Sequence, residues 1–209
     1  KRQIPFAMCI CFIGYGDNQS KLAIENLTSP TITTAASTLE RTNSEATQIN
    51  LAEIKTNHNI AFVNDTLTIT KGGTYHLSGI LEGAIKVTAN ENVDLILDNV
   101  QVISNKGAAI SFLGKANYTI STTCETENYL VDSLSNFEGA VIKSNGNLSI
   151  TGLGTLIVTG LNQDAIVADN INFSDTTIDI SAQNHSVNCR NLIINNSDIT
   201  ISDAGKILF

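Results

Sequence analysis

From Ser144 to Phe173 the chain reads SNGNLSITGLGTLIVTGLNQDAIVADNINF, and apolar and polar residues alternate through it in short runs. Alternation of period two predicts strands with one buried and one exposed face. From Leu148 onward no Asn-Gly or Asp-Gly pair separates the runs, so two-residue hairpins are not what joins them. The runs come in threes. Val141-Ile142, Leu148-Ser149-Ile150 and Leu156-Ile157-Val158 form one set. Ile166, then Ile171 with Phe173, then Ile178 with Ile180 form the next; Val187, Leu192 with Ile194, and Ile199 with Ile201 form a third.

An asparagine marks each repeat. Asn92, Asn117, Asn147, Asn170 and Asn191 each stand directly before an apolar strand residue, at intervals of 25, 30, 23 and 21 residues. Three short strands per repeat of this length predict an all-β fold, a right-handed parallel β-helix whose strands pair one coil above and one below. The recurrent Asn is expected at a corner, in left-handed backbone conformation, with its amide stacked on the next Asn. An antiparallel sandwich is the competing fold, but it needs hairpin signals and leaves the recurrent Asn unexplained. Ile85, Leu95, Leu97, Ile110, Leu148, Ile150, Ile166, Ile178, Ile194 and Ile201 are the expected core. The longest interval contains TTCETENYLVDSLSNFEG, which reads as a loop inserted at a corner.

The other segments read differently. Lys1 and Arg2 precede an apolar run ending at Tyr15, so residues 1–16 read as a cleaved export signal and the mature protein as secreted or cell-surface. The run is too short to span a bilayer comfortably, and no membrane insertion is expected once the signal is removed. Residues 17–58 read as a Thr/Ser-rich disordered linker, with a helical turn over Ile49–Lys55, and residues 59–209 as the folded domain. The chain stops on Ile207-Leu208-Phe209, which reads as the first strand of another coil. The expectation is therefore a chain incomplete at its C terminus, or self-association through an open end.

Composition narrows the function. The 209 residues carry a net charge of −8 and only 15% charged residues, which argues against nucleic acid as a partner. The same charge should repel acidic polysaccharide unless a divalent cation bridges the two. Cys124 and Cys189 lack zinc-type spacing and read as inert thiols.

The ordered series GGTYHLSGILEGAIKVTANENVDLILDNVQV, GAAISF, TENYLVDS and GAVIKSNGNLSITGLGTLIVTG resembles a family of secreted bacterial carbohydrate-binding domains, over roughly Gly72 to Gly160. The resemblance implies a pectate-lyase-like β-helix that binds plant-type polysaccharide, such as cellulose or pectic polygalacturonate, with calcium. That family repeats Asp-Gly-Ile at one corner, where this chain has Asp164-Ala165-Ile166, Asn184-His185-Ser186-Val187 and Asp203-Ala204-Gly205. Asp164, Asp169, Asn184 and Asp203 are accordingly the candidate calcium ligands, against a plain reading as solvated corner caps.

Among outward positions, Lys143, Arg190 and Tyr129 are the candidate carbohydrate contacts, with Tyr75, Tyr118 and Phe137 as further aromatics. Lyase chemistry would need a basic residue coupled to a calcium cluster, and hydrolysis two facing carboxylates. Neither pattern is present. The expected function is non-catalytic polysaccharide binding, and the alternative is a structural stalk or adhesin segment.

Overall fold

The computed structural model describes residues 46–135, 139–202 and 207–208. The expected signal, most of the expected linker, Phe137, Asp203 and Phe209 lie outside the described residues. The described chain is all-β, with no helix and with mostly parallel strand pairing.

Strands pair by ladder rather than with their neighbours in sequence. The first ladder joins β3 (Thr66–Ile69), β5 (Ala84–Val87), β7 (Ile110–Phe112), β10 (Ala140–Ser144), the start of β13 (Asp164–Ser174), the start of β15 (Val187–Asn195) and β17 (Ile207–Leu208). A second joins β1 (Thr47–Asn50), β4 (Gly73–Glu82), β6 (Val93–Ile103), β8 (Asn117–Thr122), β11 (Asn147–Gly152) and the later halves of β13 and β15. The third takes the ends of β4 and β6, then β9 (Glu127–Val131), β12 (Thr155–Gly160), β14 (Thr177–Ala182) and β16 (Asp198–Ser202).

Register places like over like. Leu67, Ile85, Ile110, Ile142, Ile166 and Val187 form one inward column, and all are buried. Ile120, Ile150 and Phe173 form another in the second ladder. Each such side chain contributes about 1.5–3 kcal/mol by burial. Most of the expected core residues are therefore where the period-two pattern puts them. Ile194 is the exception, 48% exposed although it follows Phe173 in register. It occupies the inward column, but no described strand pairs over it on that side. Ile201 is half-buried for a related reason, since among the described strands β16 pairs with β14 alone.

Three further features depart from the sequence reading. Thr47–Asn50 is a strand paired with β4, and Ile49 and Leu51 are buried, so the segment expected to be linker and helical turn belongs to the packed sheet. The segment read as an inserted loop contains β9, whose Leu130 is buried in the core. The described residues do include a true hairpin: β2 (Ile60–Val63) pairs antiparallel with β3 across Asn64 and Asp65, both at positive φ. Such a turn suits Asn and Asp, which tolerate the left-handed region.

The recurrent asparagines stack in register at one exposed corner. Asn147 Nδ2 donates to Asn117 Oδ1 at 2.8 Å, Asn170 Nδ2 to Asn147 Oδ1 at 2.7 Å, and Asn191 Nδ2 to Asn170 Oδ1 at 2.6 Å. Below them Asn92 Oδ1 accepts the Asn117 backbone N–H at 3.2 Å. These asparagines are not left-handed, contrary to expectation. Positive φ falls instead at a second corner, on Asn99, Asp175 and Asn196. The ladder corner is turned by two successive exposed residues, Asp169 and Asn170 in β13, which breaks the in–out alternation without a left-handed residue.

Candidate functional site

The Asn corner separates two outward faces with different chemistry. On the second ladder most outward side chains are short and polar. Thr74, Asp94, Thr119, Ser149 and Asn172 form one column that ends on the exposed Ile193, and Ile96, Ser121, Thr151, Ser174 and Asn195 lie in the next. Parallel strands sit about 4.8 Å apart, so hydroxyl and amide groups repeat at that spacing along a flat surface. A depression of about 680 Å³ crosses this face beside the corner, lined by Asn147, Ser149, Asn170, Asn172, Arg190 and Asn191 together with the apolar Leu148, Ile171, Leu192 and Ile193.

On the other side of the corner the first ladder presents cations. Its outward column runs Thr68, Lys86, Ser111, Lys143, Val167, Asn188 and Leu208. A groove of about 370 Å³ is lined by Lys115, Lys143, Asn145, Asp169, Asn188 and Arg190. A smaller hollow lined by Lys115, Asn145, Asn147, Asp169 and Asn170 shares residues with both, so the depressions run together across the ladder. The groove thus holds three cations against one carboxylate, in a chain whose net charge is −8.

Two of the expected carbohydrate contacts, Lys143 and Arg190, are brought together here. Tyr129 is not. It lies on the third ladder between Gln101 and Ile157, 38% exposed, and its hydroxyl donates to Glu127 Oε2 at 2.6 Å. That bond, more than burial, raises the phenol's pKa above its ordinary value. Tyr75 and Tyr118 are buried and unavailable as sugar platforms. Tyr118 stacks on Phe112 and donates its hydroxyl to Ala89 O at 2.7 Å.

Of the described candidate calcium ligands, Asp164 and Asn184 lie at one corner of adjacent coils and Asp169 stands apart from them. Asp164 Oδ1 accepts the His185 backbone N–H at 3.1 Å and faces His185 Nδ1 at 2.9 Å, while Oδ2 accepts Asn188 Nδ2 at 2.9 Å. Its side chain is only 12% exposed, so the carboxylate is committed to holding the following turn. Asp169 lies five residues on, roughly 16 Å of extended chain. It is exposed and pairs with Arg190 Nη2 at 3.6 Å. Asn184 donates Nδ2 to Gln163 Oε1 at 3.0 Å. Calcium needs six to eight oxygens about 2.3–2.6 Å from one point. The described members of this set do not fit that requirement, and no cluster of three or more His, Cys, Asp or Glu suited to a metal occurs among the described residues.

Sequence reasoning missed Lys115, Asn145 and Lys86. Lys115 sits in the turn before Asn117, two residues ahead of the repeat's marker, and that fixed offset from the corner was the available signal.

A family model described as carbohydrate-binding domain-containing protein matches residues 63–208. Among solved structures, a polysaccharide lyase-like protein from C. thermocellum, in a gadolinium derivative, aligns with a TM-score of 0.52 at 16% identity, covering 77% of this chain and 98% of that one. At that identity the likeness is one of fold. No curated protein matches the chain.

Proposed function

Since this chain belongs to the family of carbohydrate-binding domain-containing proteins, we propose that it binds polysaccharide at the Asn-ladder corner without cleaving it. The observation that carries the reading is the plane of outward Thr, Ser and Asn side chains beside the 680 Å³ depression. Sugar hydroxyls both donate and accept, as do these groups. A flat row at fixed spacing serves a chain of repeated sugar units better than a closed pocket serves one small molecule. We read the three ladders, taken up in turn by successive chain segments, as a right-handed parallel β-helix whose rigidity holds that spacing. The secreted or cell-surface location expected of such a binder is part of the same proposal.

The chemistry of the corner favours binding over turnover. A β-eliminating base must reach the proton next to a uronate carboxylate while a nearby charge stabilises the developing anion. Lys143 and Arg190 share the groove with Lys115 and the ion-paired Asp169, with no carboxylate cluster suited to a metal beside them among the described residues. Hydrolysis would need two carboxyl groups about 5–9.5 Å apart across the sugar. Asp164 is committed to His185 and Asn188.

Retention on insoluble polysaccharides, with Ser149→Ala/Asn172→Ala as the weakened variant, tests the binding half. A protein retained on none of a broad panel would sink the reading. Absorbance from unsaturated uronides tests the other half: sustained product, lost in Lys143→Ala, would establish a lyase instead.

A further inference from the structure

We infer that the groove beside the ladder takes the acid groups of an anionic polysaccharide directly on Lys115, Lys143 and Arg190, with no bridging metal ion. The inference rests on the polysaccharide-binding reading and adds to it the means by which an acidic ligand is held. It replaces the expectation, drawn from net charge alone, that acidic polymer is repelled unless calcium intervenes.

Three observations carry it. The first is the distribution of charge. Only 12 of 209 residues are Lys or Arg, yet three of them line one groove. At contact distance a local cation outweighs a diffuse negative surface, because charges beyond about 8 Å are largely screened at physiological salt. Lys86 lies in the Lys143 column two strands away, roughly 10 Å, and extends the positive line along the direction of stacking. A linear polymer lying along that direction would meet a cation at every second strand.

The second is that the donors are available. Lys115 and Lys143 make no ion pair among the described residues. Arg190 has a partner in Asp169, but both side chains are mostly exposed and the contact is 3.6 Å. Such a pair is worth little. A substrate carboxylate can displace it and accept two parallel N–H bonds from the guanidinium.

The third is that the alternative lacks ligands among the described residues. Both oxygens of Asp164 are engaged by His185 and Asn188, and Asp169 stands beside a guanidinium, which opposes a cation at the same place.

The experiment uses the full chain and three polymers: unesterified homogalacturonan, its methyl-esterified form, and cellulose. Binding to the unesterified polymer should persist in excess EDTA and fall steeply between about 0.05 and 0.5 M NaCl. Each of Lys143→Ala and Arg190→Ala should weaken it about tenfold, the loss of one charge-assisted contact. Arg190→Lys should weaken it less, and Lys143→Ala, outside the depression of the polar face, should leave binding to cellulose unchanged. Loss of homogalacturonan binding in EDTA with recovery in calcium would overturn the inference, as would undiminished binding by Lys143→Ala/Arg190→Ala. Binding to cellulose but not to homogalacturonan would also overturn it while leaving the broader function standing. Binding to none of the three would remove both.

Discussion

Asn147 Nδ2 donates to Asn117 Oδ1 at 2.8 Å, and Asn147 Oδ1 accepts from Asn170 Nδ2 at 2.7 Å. Each internal rung of the corner ladder therefore uses both ends of its amide. Asn147→Ala removes two hydrogen bonds, each worth about 0.5–1.5 kcal/mol, and should lower stability by about 1–2 kcal/mol in urea unfolding. Asn191→Ala breaks its bond to Asn170 alone among the ladder contacts and should cost about half as much. Equal losses at the two positions would show that the ladder does not act through these bonds.

Burial, not column membership, sets the energetic weight of an inward residue. Ile150 is fully buried and Ile194 is 48% exposed, though they share a column through Phe173. Ile150→Ala should cost about 2–5 kcal/mol, and Ile194→Ala under about 1 kcal/mol. Thermal or denaturant unfolding of the two variants makes the comparison, and a large loss at Ile194 would mean that something covers it in solution.

The second corner depends on a glycine. Gly152 has φ +115°, and an added Cβ would fall 2.4 Å from the backbone N and O of Thr122 in the adjacent strand. Gly152→Ala should destabilise by at least about 1–3 kcal/mol from backbone strain alone. A variant with unchanged stability would mean that the corner relaxes more freely than its contacts imply.

Cys189 is buried, and burial raises its thiol pKa above the ordinary value. The thiolate is the reactive form. Peptide mapping after alkylation at about pH 8 should find Cys189 unmodified in the folded protein and modified once the chain unfolds. As pH rises, the unfolded thiol ionises before the folded one. Its contribution to stability is therefore intact below the unfolded thiol's pKa and is lost as pH climbs through the raised, folded value. A Cys189→Ser variant, lacking that group, should lose less stability over the same alkaline range.

What the sequence alone determined was whatever repeats locally. Period-two alternation placed Ile85, Ile110 and Ile166 inward, and the recurrence of Asn117, Asn147, Asn170 and Asn191 located a stacked corner, because both signals lie within a few residues along the chain. It also named Lys143 and Arg190. Tertiary structure decided the rest. Whether Lys143 meets Arg190 and Lys115 depends on how many residues each repeat spends between corners, and those lengths vary. The same residue count leaves Tyr129 on another ladder and turns Asp164 into a partner of His185 and Asn188 rather than of Asp169. Charge showed the same division. Composition reports a sum of −8, whereas recognition depends on which charges lie within a screening length of one another, and only the stacking of distant repeats sets that.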